Sequence, residues 1–287
     1  MLLIWKMKPD VIMINYNGLM HFLLPFIPKT RVISIIHNDL DDFYRISKIN
    51  HTYVNAWVAP TPGIKEGFIN YANLERAKSD TVVISHGISK SKTLHQEHDT
   101  TELNLVFVGA ILEHKGADLL PEIMEKIISV IPYAKLQIIG VGTGKLEPIL
   151  KNEFEEKKIS KNIEFMGVIS HEKVREIMSQ SDILLFPTRV EAFGLVIAEA
   201  MMEGVVPVVT LLPGITDATV ENEKTGYLVQ KNDVDAFSQR VIELGSDLKL
   251  LRQMSLKSQE AANKYLSLST MSLNYKNLIE KGVNGAV

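Results

Sequence analysis

Cysteine is absent from the 287 residues, which excludes disulfides and thiolate metal sites and suits a reducing compartment. A strong charge of one sign is missing too. With 31 Lys and Arg against 34 Asp and Glu, the formal charge is −3, so no basic field draws in nucleic acid, and none is expected as a partner. Long hydrophobic runs are also lacking. The opening Met1-Leu2-Leu3-Ile4-Trp5-Lys6 is apolar but too brief for a signal peptide. No stretch reaches the ~20 apolar residues that a spanning helix needs. The chain is therefore expected to be soluble and cytoplasmic, with a peripheral seat on the inner membrane face left open. Internal repeats and low-complexity tracts are absent as well.

What is present is apolar residue in quantity, 46%, enough for two cores of ordinary domain size. Short β-branched runs occupy residues 11–15, 31–36, 56–59, 81–85, 103–108, 135–139, 162–165, 182–186, 205–209 and 227–229. Most lack polar alternation, the pattern of strands buried on both faces. Amphipathic stretches separate them, as at 117–130, where Leu119, Leu120, Ile123, Met124, Ile127 and Ile128 share one face. Alternation of this kind predicts an α/β fold with parallel sheets covered by helices. Residues 89–101 are polar apart from Leu94, so they read as a linker or as a long surface loop. The expected division is a first domain over 1–92, a linker at 93–101, a second domain over 102–266, and a C-terminal helix within 267–287 that folds back onto the first domain.

The most informative segment is Phe186-Pro187-Thr188-Arg189-Val190-Glu191-Ala192-Phe193-Gly194-Leu195-Val196-Ile197-Ala198-Glu199-Ala200. A buried strand ends at Phe186, a loop follows, and a helix is predicted to begin near Phe193 or Gly194. Ligands bind at the carboxyl ends of strands in open parallel sheets, and a helix start there offers N–H groups and a positive dipole end to phosphate. Glu191 and Glu199 could face one extended ligand, since a carboxylate accepts paired bonds from vicinal hydroxyls. The plainer alternative is two surface glutamates beside a solvated loop.

From Glu191 to Glu199, with Phe193-Gly194-Leu195 between, the segment resembles the Glu-x7-Glu signature of the family 4 retaining glycosyltransferases. Val106-Phe107-Val108-Gly109 with Lys115-Gly116 is similar to that family's opening donor-domain strand and basic turn, and Ile138-Ile139-Gly140-Val141-Gly142 to its second strand and glycine turn. Residues 162–167, 182–187 and Thr225-Gly226-Tyr227-Leu228-Val229 continue the series in family order. The resemblance implies the GT-B fold: two Rossmann-like parallel-sheet domains, here with the first one incomplete. It also implies a nucleoside diphosphate sugar as donor substrate, no cofactor and no metal, and a glycan or lipid-linked glycan as acceptor.

The resemblance assigns roles residue by residue. Lys115 would meet the diphosphate, Glu199 the ribose hydroxyls and Glu191 the sugar hydroxyls. His37, in Ile36-His37-Asn38-Asp39, would close over the sugar from the acceptor side. Lys115, Glu191 and His37 are the candidate catalytic residues. Gly109, Gly140, Gly142, Phe193, Gly194, Leu195 and Val196 complete the candidate donor site with Lys115, Glu191 and Glu199. For Lys115 and His37 the alternatives are a solvated lysine at a helix start and a structural histidine at a strand end. Where the family places an Arg after the strand glycine this chain has Ala110, so either a weaker donor site or a different phosphate geometry is expected, with His114 and Arg189 as the residues that could substitute. Residues 140–145 fit neither a dinucleotide fingerprint nor a Walker A loop, because Lys145 stands at the third glycine and the spacing to Gly144-Lys145 is one residue short. The turn Pro213-Gly214-Ile215-Thr216-Asp217 reads either as a further phosphate or sugar contact or as a plain loop, His86-Gly87 as a simple turn, and Asp41-Asp42 as a solvated helix start.

Nothing corresponds to the family's first strand and glycine-rich loop. Residues 11–15 would then form an open apolar edge, which proteins normally cover. A partner chain, a homodimer contact or a chain start other than the natural one is expected to account for it. The function expected is retaining transfer of a sugar to a hydroxyl. The alternatives are a non-catalytic nucleotide-sugar-binding subunit that needs a partner chain and, further off, a sugar-nucleotide epimerase.

Overall fold

The computed structural model describes residues 2–27, 29–90, 102–142 and 144–281, so the expected linker at 93–101 lies outside the described residues. The chain divides into two compact units, one of residues 1–87, 191–193 and 267–287, the other of residues 88–190 and 194–266.

The first unit opens with α1 (Leu2–Met7), β1 (Val11–Asn15), α2 (Gly18–Leu23) and a 3-10 turn at Leu24–Phe26. Then come β2 (Arg31–Ile35), α3 (Asp41–Lys48), β3 (Ala56–Ala59), α4 (Pro62–Ala72), α5 (Glu75–Asp80) and β4 (Thr81–Val83). Among the described residues its sheet runs β1-β2-β3-β4, all parallel. Alternation along the strands sends Val32, Trp57 and Ala59 to one face with Tyr44, Ile64 and Phe68, and Ile33, Ala56 and Val58 to the other. Helix α4 starts where Thr61 accepts the Ile64 N–H and Pro62 takes the first turn, and it ends at Asn73 in the left-handed region. The edge strand β1 buries Ile14 but leaves Met13 exposed.

The second unit contains β5 (Leu103–Val108), α6 (Leu120–Val130), β6 (Ala134–Ile139), α7 (Leu146–Glu156), β7 (Ile163–Gly167) and α8 (His171–Ser179). It continues with β8 (Ile183–Phe186), α9 (Leu195–Met202), β9 (Val206–Thr210), β10 (Tyr227–Val229), α10 (Val234–Ser246) and α11 (Leu248–Tyr265). Its parallel strands lie in the order β10-β9-β8-β5-β6-β7. The central strands β8 and β9 are buried throughout, as their unbroken apolar runs require. Helix α12 (Leu268–Lys281) returns to the first unit, where Leu278, Met271 and Tyr275 pack on the face made by Ile33, Ala56 and Val58.

Two local expectations are corrected. The stretch 117–130 opens as a 3-10 turn at Ala117–Leu119 before α6, because Pro121 at the second helical position is suited to a first turn and not to an interior one. Asn162 is not in a strand. It closes a 3-10 turn, and its side-chain amide donates to the Pro132 and Ala134 carbonyls at 3.1 and 2.7 Å.

Candidate functional site

The strand order of the second unit decides where a ligand can sit. From β5 the chain moves outward through β6 and β7, then returns to the other side of β5 as β8, β9 and β10. The order therefore reverses between β5 and β8. Loops leaving neighbouring strands at such a point part to opposite faces and leave a crevice at the carboxyl ends. The loops that leave here are 109–119 and 187–194.

Glycine turns line the β5 and β6 ends of that crevice. Gly109 N–H donates to Ile139 O at 3.0 Å, Gly140 N–H to Gly167 O at 2.9 Å and Ile111 N–H to Val141 O at 3.2 Å. At Gly140, φ is +133°, and an added Cβ would lie 2.0 Å from the Gly109 carbonyl oxygen. The two turns can approach this closely only without a side chain there. Gly142 is held from the helix side, where its N–H donates to the Glu147 carboxylate at the start of α7. A hydrogen bond from Lys151 Nζ, 2.8 Å from Glu147, is the larger reason that the Glu147 carboxyl lies below its ordinary range, and the Gly142 bond adds to it.

Lys115 ends a 3-10 turn, Glu113–Lys115, which Gly116 closes at φ +73°. An added Cβ at Gly116 would lie 1.9 Å from the Pro187 carbonyl oxygen, so this turn rests directly on the loop after β8. Two bonds fasten it there: Arg189 N–H to His114 O at 2.8 Å, and the Thr188 hydroxyl to the same oxygen at 3.2 Å. The Lys115 ammonium lies 6.0 Å from the ring centre of Phe186, the last residue of β8. Arg189, a stand-in by sequence for the Arg missing at Ala110, has other work in the structure. Its Nη1 and Nη2 fork onto Asp118 at 2.6 and 2.7 Å, and its Nε donates to Asn232 at 2.7 Å. A guanidinium held bidentately and at its third nitrogen is a brace between loops.

Helix α9 begins at Leu195, one residue later than the sequence suggests, after Gly194 turns the chain at φ +76°. Ile197 is the first residue to bond back, to Gly194 O at 2.9 Å, so the Leu195 and Val196 N–H groups precede the first intrahelical bond. Glu199 stands one turn further on with its side chain 17% exposed, and its Oε1 is 2.8 Å from His171 Nε2 on α8. His171 carries no sequence signal, being 28 residues from its partner. The turn after β9 is fastened internally: the Thr216 hydroxyl donates to Thr210 O and accepts the Leu212 N–H, both at 2.7 Å, and Gly214 takes φ +73°.

The remaining candidates belong to the first unit. Glu191 and Phe193 group with it, whereas Glu199 groups with the second. The Thr61 hydroxyl donates to Ala192 O at 3.4 Å, and Ala192 packs on the core around Trp57. Phe193 meets the His86 ring edge-on, with centroids 5.0 Å apart, and His86 stacks parallel to His37 at 6.0 Å. His37 Nε2 hydrogen-bonds Asn15 Oδ1, an acceptor, so that nitrogen carries a proton. Burial lowers the pKa of both histidines, and for His86 the neighbouring His37 charge lowers it further. His86, expected as a simple turn residue, is thus part of a ring cluster with His37 and Phe193 at the carboxyl end of the four-stranded sheet. Its signal is its place after β4, one strand end among several.

Residues 90–261 match the family described as Glycosyl transferases group 1. The chain is 31% identical over 131 residues to the GPI3 subunit of phosphatidylinositol N-acetylglucosaminyltransferase from Saccharomyces cerevisiae, covering 46% of this chain and 28% of that one. Over 156 residues it is 33% identical to a GDP-mannose-dependent monoacylated alpha-(1-6)-phosphatidylinositol monomannoside mannosyltransferase from Corynebacterium glutamicum, covering 52% and 39%. It therefore spans well under half the length of these two relatives. The crystal structure of Anabaena HepE in complex with UDP superposes with a TM-score of 0.82 at 16% identity, over 95% of this chain and 79% of that one, a likeness of fold. Two parallel sheets of the GT-B arrangement, a crevice at the reversal of strand order and a family match over residues 90–261 agree: the chain belongs to the glycosyl transferases group 1.

Proposed function

We propose that this chain binds a nucleoside diphosphate sugar at the carboxyl end of its six-stranded sheet and transfers the sugar to a hydroxyl acceptor with retention at the anomeric carbon. One observation carries the reading. The reversal of strand order brings the Lys115 turn, the paired Gly109 and Gly140 turns and the start of α9 to one sheet end. The Leu195 and Val196 N–H groups at a helix end, together with an ammonium, are what a diphosphate needs, and the glycine turns let it approach closely. In the transfer, the bond from C1 of the sugar to the diphosphate oxygen breaks and its electron pair leaves with the diphosphate. The acceptor oxygen bonds to C1 on the same face, and its proton passes to the departing diphosphate. Lys115 and the Leu195 and Val196 N–H groups stabilise the charge that develops, with no cofactor. Glu199 holds the ribose hydroxyls. In the first unit, His37 and Glu191 supply polar groups for sugar hydroxyls.

Titration calorimetry with UDP and GDP tests the binding half. Glu199→Ala is expected to weaken the bound nucleotide by roughly 10- to 100-fold, the worth of a charge-assisted hydrogen bond. Lys115→Ala should cost turnover at saturating donor by a similar factor, with turnover of the parent chain unchanged by EDTA. Unaltered nucleotide affinity in Glu199→Ala removes the assignment.

A second reading, a nucleotide-sugar-binding subunit that works with a partner chain, draws on Ala110 and on Arg189, whose guanidinium is held by Asp118. The open edge of β1, with Met13 exposed, is where such a partner or a second copy would add a strand. Donor turnover by the chain alone decides between the two. The acceptor we propose is lipid-linked and met at the cytoplasmic face of a membrane, in keeping with relatives named for phosphatidylinositol-based acceptors and with exposed Leu19, Phe22 and Phe26. No helix among the described residues is long and apolar enough to cross a membrane.

A further inference from the structure

Helices α8 and α9 are joined by two hydrogen-bonded rungs about one helical turn apart. His171 and Arg175 stand four residues apart on α8 and face Glu199 on α9 and, four residues further, Glu203, which caps the C-terminus of α9. Residues at this spacing share a helix face, so the rungs form a ladder between the two helices. The rungs differ in character. In the inner one, Arg175 Nε donates to Glu203 at 2.6 Å, and the Glu203 side chain is 2% exposed. The Arg175 guanidinium also reaches the Ser89 hydroxyl. That rung is a buried strut, and it fixes the distance between the helices. In the outer rung an imidazole takes the place of the guanidinium: His171 Nε2 meets Glu199 Oε1 at 2.8 Å, with the His171 side chain 66% exposed. The bond engages Oε1 and leaves Oε2 to accept from a ligand hydroxyl.

We infer that His171 is a positioning residue for the nucleotide site: it fixes the rotamer of Glu199 so that the carboxylate presents its lone pairs to the two vicinal hydroxyls of a ribose, and it thereby sets the preference for ribonucleotides over deoxyribonucleotides. The inference rests on the proposed role of Glu199. The physical case is one of freedom. A glutamate has three rotatable bonds, and recognition of a vicinal diol needs the remaining carboxylate lone pairs aimed at both hydroxyls at once. A single bond from a neighbouring helix, itself held by the Arg175 strut, removes that freedom before the ligand arrives, and preorganisation of this kind enters directly into affinity. A guanidinium in the outer position would fork onto both oxygens, as Arg189 does on Asp118, and leave less for a ligand. An imidazole donates only one bond from this side.

The test compares UDP and GDP, each against its 2′-deoxy counterpart, by titration calorimetry on the whole chain. In His171→Ala the ribonucleotide is expected to bind roughly five- to tenfold more weakly while the deoxyribonucleotide is unchanged, so that the preference falls by that factor. In His171→Gln, whose amide nitrogen can donate from nearly the same place, the preference should return. Equal weakening of both nucleotides, or tighter binding of the ribonucleotide by His171→Ala, overturns the inference, the latter because His171 would then be competing with the ribose. If the parent chain binds none of the four nucleotides, the reading of Glu199 falls together with it. If the parent binds and its preference survives in His171→Ala, only the role of His171 falls.

Discussion

In the second unit the strand order reverses between β5 and β8, and the loops at that point offer glycine turns and a helix start. In the first unit β1 to β4 run in plain sequence, and their ends carry side chains, Asn15, His37 and His86. The comparison separates two ways of preparing a strand end for a ligand. Main-chain donors in close-packed turns are fixed by geometry and do not titrate in the working range. Imidazoles packed on one another do titrate, and their charge state depends on what covers them. The strand ends of the second unit should therefore be sensitive to added volume and indifferent to mild acid, whereas the histidine-bearing strand ends of the first unit should respond to acid.

The sharpest way to break this contrast is to add one methyl group. At Gly140 a Cβ would lie 2.0 Å from the Gly109 carbonyl oxygen in a backbone conformation that L-residues rarely adopt. The obstacle is main chain, which cannot swing aside as a side-chain end can. Gly140→Ala is expected to cost about 3 kcal/mol or more, from backbone strain and overpacking together, and to abolish UDP and GDP binding. Gly144→Ala, a little further along the chain and with nothing within 4 Å of its Cβ, is the control that should leave both unchanged. Thermal melting and calorimetry on the pair decide it, and equal behaviour of the two variants would remove the close approach as a feature of the site.

How much of this is legible in the sequence follows the same division. Strands such as β8 and β9 announce themselves as apolar runs without polar alternation, and glycine after a strand marks Gly109 and Gly140, because main-chain geometry leaves a direct trace in composition. The helix start after Phe193 is legible in the same way, to within a residue or two. Side-chain partnerships leave no such trace. Arg189 stands one residue beyond Thr188 in the loop after β8, and nothing in its neighbours tells that Asp118 holds it. His86 looks like a turn because only the folded sheet brings the ends of β2 and β4 to opposite sides of a stacked pair. His171 and Glu199 meet because α8 and α9 pack, a tertiary fact.

The next prediction concerns acid. His21 is buried at 1% exposure, its Nδ1 3.2 Å from Ile49 O and its Nε2 3.1 Å from the Ser34 hydroxyl, and burial lowers its pKa. His37 and His86 are lowered as well, so three histidines of the first unit resist protonation in the folded state. The unfolded chain takes up these protons near the ordinary value of 6.5, the folded chain only at lower pH. Between those limits the unfolded state binds more protons, so stability is full above 6.5 and declines as pH falls below it. Trp57 is buried in the core of the first unit, so its fluorescence reports on that unit. The fluorescence melting temperature should drop between pH 7 and pH 5, and His21→Asn should flatten part of that slope. A melting temperature constant over this interval would show that burial of these rings carries no linkage.

The smallest expected effect lies back in the second unit and sharpens the claim that its turns are held by main-chain contacts. The Glu147 carboxylate accepts from Lys151 and from the Gly142 N–H, and both lower its pKa. Its contribution to stability is therefore present above the ordinary carboxyl value of 4.5 and is lost as pH falls through the lowered one, a window below that of the histidines. Glu147→Gln keeps an acceptor for the Gly142 N–H but loses the ion pair. It should cost no more than roughly 0.5–1 kcal/mol, the worth of a solvent-facing pair, and leave UDP and GDP affinity within about twofold. Glu147→Ala, which removes the acceptor as well, should weaken nucleotide binding more than Glu147→Gln does, because the turn it releases lies at the proposed nucleotide site. If the two variants bind nucleotide alike, the Gly142 turn is held by its own backbone, and the glycine contact at Gly140 is sufficient to shape that wall of the crevice.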